Sequence, residues 1–274
     1  MRYHDVRTVL DNKGMARSTF YYHAKKQHDA NRYDIVRRRI RDIYETNSGR
    51  YSYCRVTAQR QNEGIAINHK IVQKLMGQME LKAKTKRQKY RLYKGEIGRV
   101  TPNVLNRDFH ASRQSQKQAT DVTQVNIKGD KLYLSPIQDL FNGEIVSYTI
   151  SKMPNLLMTT RMLDKAFSVL SDLRGLILHS DQGWHYQHFR NQTLLKQKGI
   201  IQSISHKGNC LDNAMMENFF VLMKNELLYL QDWNSVREFE NTLMDYINYY
   251  NYDRIKLRLK GKSPVQYRTL CHDN

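Results

Sequence analysis

The chain has 274 residues and carries 45 Lys+Arg against 26 Asp+Glu, a formal net charge of +19. That length allows a sizeable core and one medium domain beside a smaller one, and so large an excess of cations calls for a polyanionic partner. No apolar run is long enough to span a bilayer and no secretory or lipidation signal is visible, which argues against a membrane surface as that partner.

The charge is unevenly shared. Residues 1–118 hold 27 Lys+Arg and 10 Asp+Glu, a net of +17, whereas residues 119–274 hold 18 and 16, a net of +2. Nucleic acid is the leading partner for the first half, because phosphate contacts from Lys and Arg supply most non-specific affinity. The cysteines, Cys54, Cys210 and Cys271, are dispersed and form no C-x-x-C pair. They suit a reducing cytosol better than a disulfide framework or a structural zinc.

Residues 14–26, GMARSTFYYHAKK, show a turn glycine and then a helical pattern with Arg17, Ser18 and Thr19 on its first turn. A helix-turn-helix reader presents that part of its second helix to base edges. Residues 34–45 place Val36, Ile40, Ile43 and Tyr44 at helical spacing. Residues 67–79 open with Asn68 as an N-cap and carry Ile71, Val72, Leu75, Met76 and Met79 as an apolar stripe, with Lys70 and Lys74 on another face. Each helix alone reads better as a solvated face on a small bundle; three within one +17 segment favour a DNA-binding region over 1–81. Residues 82–118, with 11 Lys+Arg and two acids, read as a basic linker that orders on phosphate.

The pattern changes at about residue 119. Three β-rich runs, 120–127, 131–140 and 143–150, precede a helix over 155–170, a buried strand over 175–180, a helix over 186–199 and a strand over 200–205. Two helices follow, over 212–230 and 235–252, the first capped by Asp212 with Leu211 and Met216 as a hydrophobic staple, the second opening on the capping box Ser235-x-x-Glu238. Three strands and then alternating helix and strand predict an α/β domain over 119–274, a mixed sheet with helices on its faces. His179, His185 and His188 read as polar loop residues rather than a transition-metal site.

Three acids break the local pattern. Asp181 lies just past the carboxyl end of a buried strand, where open α/β sheets place their sites. Asp121 begins the first strand, on the same side as Thr123, Val125 and Ile127, which points it inward or to the sheet's rim rather than to bulk water. Glu217 shares a helical stripe with Phe220, Val221, Lys224 and Leu228, so a Glu and a Lys stand where the pattern expects apolar groups. Three gathered acids repel, so a cation must hold them together. Hard oxygen donors suit Mg2+ or Mn2+, and two such ions roughly 3.5–4 Å apart serve phosphoryl transfer. For any one acid a turn, a helix cap or a surface ion pair is an equal reading; all three beside a +17 half favour metal ligation.

The spacing Asp121–x59–Asp181–x35–Glu217 resembles the DDE signature of retroviral-integrase-like recombinases. The surrounding words are similar to the OrfB transposases of bacterial insertion sequences: TDVT (120–123), LYLSPIQDL (132–140), HSDQG (179–183), SISHKGNCLDNAMMENFF (203–220), YINYYNYDR (246–254) and KSPVQY (262–267). INHKIVQKLM (67–76) resembles the family's helix-turn-helix segment. Departures stand at Gln118, where Trp is usual, at Ser52 and Cys54 within GRYSYCR, and at Lys256, where His is usual.

The resemblance implies a ribonuclease-H-like integrase catalytic core, preceded by a small basic all-α helix-turn-helix region. It implies divalent-metal-dependent DNA strand cleavage and strand transfer at insertion-sequence ends, with Asp121, Asp181 and Glu217 as catalytic metal ligands. It matches Lys224 to a basic residue that touches the DNA end, and Lys207 joins it as a second candidate. The implied partners are element ends and target DNA, further copies of the chain, and the product of an upstream reading frame; the implied setting is the bacterial nucleoid. A non-catalytic DNA-binding regulator with a relic core, and a structure-selective nuclease of the same fold, are the rival readings.

Overall fold

The computed structural model describes residues 10, 14–22, 33–85, 101–169, 173–206 and 210–272, and the chain divides into two compact units, Met1–Ala83 and Lys84–Asn274. Among the described residues no helix is long and apolar enough to cross a membrane.

In the first unit a short helix covers residues 17–22, followed by α1 (Asp34–Thr46), α2 (Tyr53–Asn62) and α3 (His69–Gln78). Ile40 and Ile43 of α1, Val56 of α2, and Val72 and Leu75 of α3 are buried together by their helical spacing. Gly64, at φ +79°, ends α2 and lets the chain turn into α3, whose first turn is capped by the Asn68 side chain accepting from the Lys70 N–H at 2.9 Å. Sequence patterning missed α2, because its buried face includes the polar side chains of Thr57 and Arg60. Glu63 ties that turn to α1. Its carboxylate accepts from Arg39 at 2.7 and 3.2 Å and from Arg60 at 2.7 Å. The Arg39 hydrogen bond, against the opposing effect of burial and with help from Arg60, holds it down at about 2.

The second unit is built on one sheet: β1 (Lys117–Thr120), β2 (Thr123–Ile127), β3 (Asp130–Asp139), β4 (Ile145–Ser151), β5 (Ile177–Ser180) and β6 (Ile201–Ile204). β1 and β2 both run antiparallel to β3 in one unbroken register, from Gln118 opposite Asp139 to Ile127 opposite Asp130. β4 pairs antiparallel with the other edge of β3, while β5 is parallel to β1 and β6 parallel to β5. The hairpin strands pair directly through turns; the parallel strands are reached by the helical crossovers α4 (Leu156–Val169) and α5–α6 (Trp184–Gln187, Phe189–Gln197). This is a ribonuclease-H-like mixed sheet.

Helices cover both faces. Met162, Leu163 and Ala166 of α4 pack with Ile137 and Leu178 on one side, and α7 (Ala214–Met223) and α8 (Val236–Tyr252) bury Phe219, Phe220 and Leu243 on the other. Each such large side chain contributes about 1.5–3 kcal/mol through the water it leaves. α9 (Pro264–His272) closes the chain. The stretch 82–118 is more than a basic connector at its far end: Leu105 and Ala111 join the core, and Lys117 and Gln118 lie in the sheet.

Two further readings change. The helix expected over 186–199 breaks at His188, whose ring caps α6 by accepting from the Arg190 N–H. Asp212 does not cap α7, and Leu211 is exposed, so there is no staple. Residues Cys210–Asn213 form a 3-10 turn, and the buried Asp212 instead accepts from Arg107 Nε at 2.7 Å, from the His206 N–H at 2.9 Å and from Asn103 Nδ2 at 3.1 Å. Against the burial that would raise it, the bonds from Arg107 and His206 hold its carboxyl at about 2.

Candidate active site

Asp121 does not begin a strand: it falls in a gap between β1 and β2. The register along β3 makes Pro136 its partner, since Thr120 faces Ile137 and Thr123 faces Leu134. Proline has no N–H to give to a neighbouring strand, so the ladder opens at that point. The neighbouring β5 ends at Ser180, and the parallel register Ala119–His179 carries forward to bring residues 121 and 181 past adjacent strand ends. Both acids are half-buried. Each uses one oxygen locally: Asp121 Oδ1 accepts from the Val122 N–H at 2.7 Å and Asp181 Oδ1 from the Gly183 N–H at 2.9 Å.

Glu217 lies on α7, which is drawn against β1 by the Asn213 Nδ2–Thr120 O hydrogen bond at 3.3 Å. Glu217 follows Asn213 by one helical turn and therefore shares its face. Lys224 follows Glu217 by two turns and begins a π-helical turn, Lys224–Leu228. That turn is anchored by Glu226, which accepts from Arg254 at 2.6 and 2.7 Å and from the Tyr246 hydroxyl at 3.1 Å, all buried.

The four groups share one electrostatic environment. Burial pushes Asp121 well above the usual carboxylate range, and the Asp181 charge adds to it. The Val122 hydrogen bond opposes the shift, Glu217 raises it further, and Lys224 lowers it. Burial raises Asp181 and Glu217 as well and lowers Lys224, whose ammonium is in turn favoured by Asp121. Among the described residues no three His, Cys, Asp or Glu side chains are already drawn tightly enough to enclose an ion. What converges is a set of mutually repelling, oxygen-only donors with one opposing lysine, and that chemistry fits a hard divalent cation.

Two of the three histidines are not loop residues, while His188 stands in the break between α5 and α6. His179 is in β5, fully buried, with Nδ1 2.9 Å from Ser203 Oγ; His185 is buried in α5. Burial lowers both to about 4, so they are neutral at ordinary pH. Of the cationic candidates, Arg17, Lys70 and Lys74 are exposed on the first unit, Lys224 is half-buried beside the acids, and Lys207 lies outside the described residues. Lys256 turns inward, donating to Gly143 O at 2.9 Å and to the Tyr250 hydroxyl at 2.8 Å.

Comparison with known proteins decides the family. The integrase core domain family matches residues 111–210 and, in a second part, residues 217–270; an HTH-like domain matches residues 31–89. The chain is 48% identical over 267 residues to "Putative transposase InsK for insertion sequence element IS150" of Escherichia coli (strain K12), covering 97% of this chain and 94% of that protein. The chain belongs to the OrfB-type insertion-sequence transposases. It is also 35% identical over 237 residues to "Transposase for insertion sequence element IS904" of Lactococcus lactis, covering 85% of this chain and 93% of that one. Among solved structures, the HTLV-2 integrase catalytic core domain in complex with magnesium superposes with a TM-score of 0.48 at 20% identity, over 58% of this chain and 99% of that one. As a transposase, the chain is a polynucleotidyl transferase that binds and rearranges DNA. Its HTH-like segment includes α3 with Lys70 and Lys74, and does not reach Arg17.

Proposed function

We propose that Asp121, Asp181 and Glu217 hold the divalent cations, Mg2+ or Mn2+ and two in number, with which this transposase cleaves and joins DNA. The observation that carries the reading is the placement of Asp121 and Asp181 past adjacent parallel strand ends, with Glu217 on the helix bonded to Thr120, where burial and both other acids raise the Asp121 carboxyl. A bound divalent cation would relieve so unfavourable an arrangement. When bound, the ions activate an attacking oxygen and offset charge on the leaving one.

The chain's own groups do the rest. Asp121 and Asp181 each keep one carboxylate oxygen on a backbone N–H, which fixes how the other is presented. Lys224 sets its ammonium beside the acids and is our candidate for gripping the phosphate at the DNA end. The first step hydrolyses a phosphodiester at an element end and frees a 3′-hydroxyl; in the second, that hydroxyl displaces a leaving oxygen at another phosphodiester. No side chain becomes covalently attached to DNA. Lys70 and Lys74 of α3 contact DNA through the helix-turn-helix, and Arg17 adds a further contact. Processing two ends together calls for at least two copies of the chain on DNA, with the upstream-frame product as a further partner.

Asp181→Asn tests the site. Magnesium-dependent cleavage of an end-containing duplex falls at least about 1,000-fold, while metal-free DNA binding stays within about twofold. Cleavage at the wild-type rate removes Asp181 from the site.

A further inference from the structure

We propose that Thr120, Tyr186 and Asn213 form a hydrogen-bonded yoke that sets the relative positions of the three carboxylates, making them positioning residues for the cation site. This rests on the reading of Asp121, Asp181 and Glu217 as metal ligands. Thr120 immediately precedes Asp121. Its carbonyl accepts from Asn213 Nδ2 at 3.3 Å, one helical turn before Glu217, and its Oγ1 lies 3.1 Å from the Tyr186 hydroxyl, on the segment that leads away from Asp181. One residue therefore touches all three acid-bearing segments.

The direction of each bond follows from proton supply. Thr120 Oγ1 donates its one proton to Pro136 O at 2.8 Å, the carbonyl of the residue that opens the sheet beside Asp121. The Tyr186 hydroxyl is then the donor to Thr120. Burial, with the charges of Asp181 and Asp121, pushes the Tyr186 phenol well above its ordinary value, which keeps that proton in place. Tyr186 is itself held: its carbonyl accepts from Gln202 Nε2 at 2.7 Å, and the adjoining His185 carbonyl accepts from Asn191 Nδ2 at 2.7 Å. All three yoke residues are buried, so water does not take the place of a lost bond.

The experiment uses full-length Tyr186→Phe, Thr120→Val and Thr120→Ser, with Asp181→Asn as control. It reads Mn2+ binding by electron paramagnetic resonance without DNA, and the half-saturating Mg2+ concentration for cleavage. Removing a group that orients metal ligands costs about 10- to 100-fold in metal affinity. Tyr186→Phe and Thr120→Val are expected to weaken Mn2+ binding by that factor, to raise the Mg2+ requirement in parallel, and to recover most turnover at high Mg2+. Thr120→Ser, which keeps the hydroxyl, binds as wild type, and the Tyr186→Phe/Thr120→Val double variant is no worse than Thr120→Val alone. Wild-type Mn2+ affinity in folded Tyr186→Phe, or in folded Thr120→Val should Tyr186→Phe not fold, overturns the yoke. Wild-type Mn2+ binding by Asp181→Asn instead overturns the three-acid reading, and the yoke with it.

Discussion

Burial and mutual repulsion raise the proton affinity of Asp121, so at neutral pH its ionised form costs the fold stability. Its carboxyl is raised in the folded chain and ordinary in the unfolded one. Between the ordinary value of 3.8 and the raised one, the unfolded state has lost a proton that the folded state keeps. Stability from this group is therefore complete below 3.8, falls as pH rises to the raised value, and stays reduced beyond it. Asp121→Asn removes that cost. In the absence of divalent metal it is expected to melt above wild type at pH 7.5 and close to it at pH 4. Added Mg2+ raises the wild-type melting temperature by mass action and leaves the variant where it was. A variant that melts below wild type at pH 7.5 contradicts the electrostatic account. The acids themselves were legible in the sequence because each violates its local pattern. Thr120, Tyr186 and Asn213 were not, because a threonine at a strand end, a buried tyrosine and an asparagine at a helix start are each ordinary where they stand.

At the scale of elements, patterning succeeded where periodicity is long and failed where it is short or interrupted. The stripes of α1, α3, α4 and α8 and the buried run of β5 fixed those elements to within a few residues. β1 was unreadable: Lys-Gln-Ala-Thr contains one β-former and no alternation. Its position came from pairing with β3 and β5, which is information about distant residues. The break at Asp121 had a local signal, Pro136 within a strand-like run, but only the register shows what it faces. The π-helical turn after α7 is likewise set from outside, by the buried Arg254–Glu226 pair with Tyr246. Arg254→Met strands the Glu226 charge in the interior. Loss of one partner of a buried pair costs about 3–5 kcal/mol, so chemical denaturation should show a loss of that order. The double variant Arg254→Met/Glu226→Leu should recover most of it, and yet leave cleavage impaired, because Lys224 loses the turn that presents it. Full recovery of cleavage in the double variant separates the π-turn from the placement of Lys224.

Over the whole molecule, charge and chemistry are divided. The sheet that bears the acids belongs to a nearly neutral stretch, and the first 118 residues carry +17. Such a partition suits an enzyme whose proposed catalytic carboxylates would repel DNA if nothing else attracted it. It does not by itself say which cations meet phosphate, and several are engaged within the fold: Arg39 and Arg60 with Glu63, and Arg37 with Asp34. Lys70 and Lys74 are different. They lie on the exposed face of α3, opposite the buried Val72, Leu75 and Met76, in the second helix of a helix-turn-helix pair. Each phosphate contact releases counterions and contributes about −0.9 to the slope of log affinity against log salt. Replacing both lysines by glutamine is therefore expected to make that slope shallower by about two units and to weaken binding most at low salt. Cleavage at saturating protein and fixed Mg2+ stays near wild type, since neither side chain belongs to the acid cluster. Fluorescence anisotropy across a salt series measures the slope, and a slope unchanged from wild type moves the DNA contact away from this face of α3.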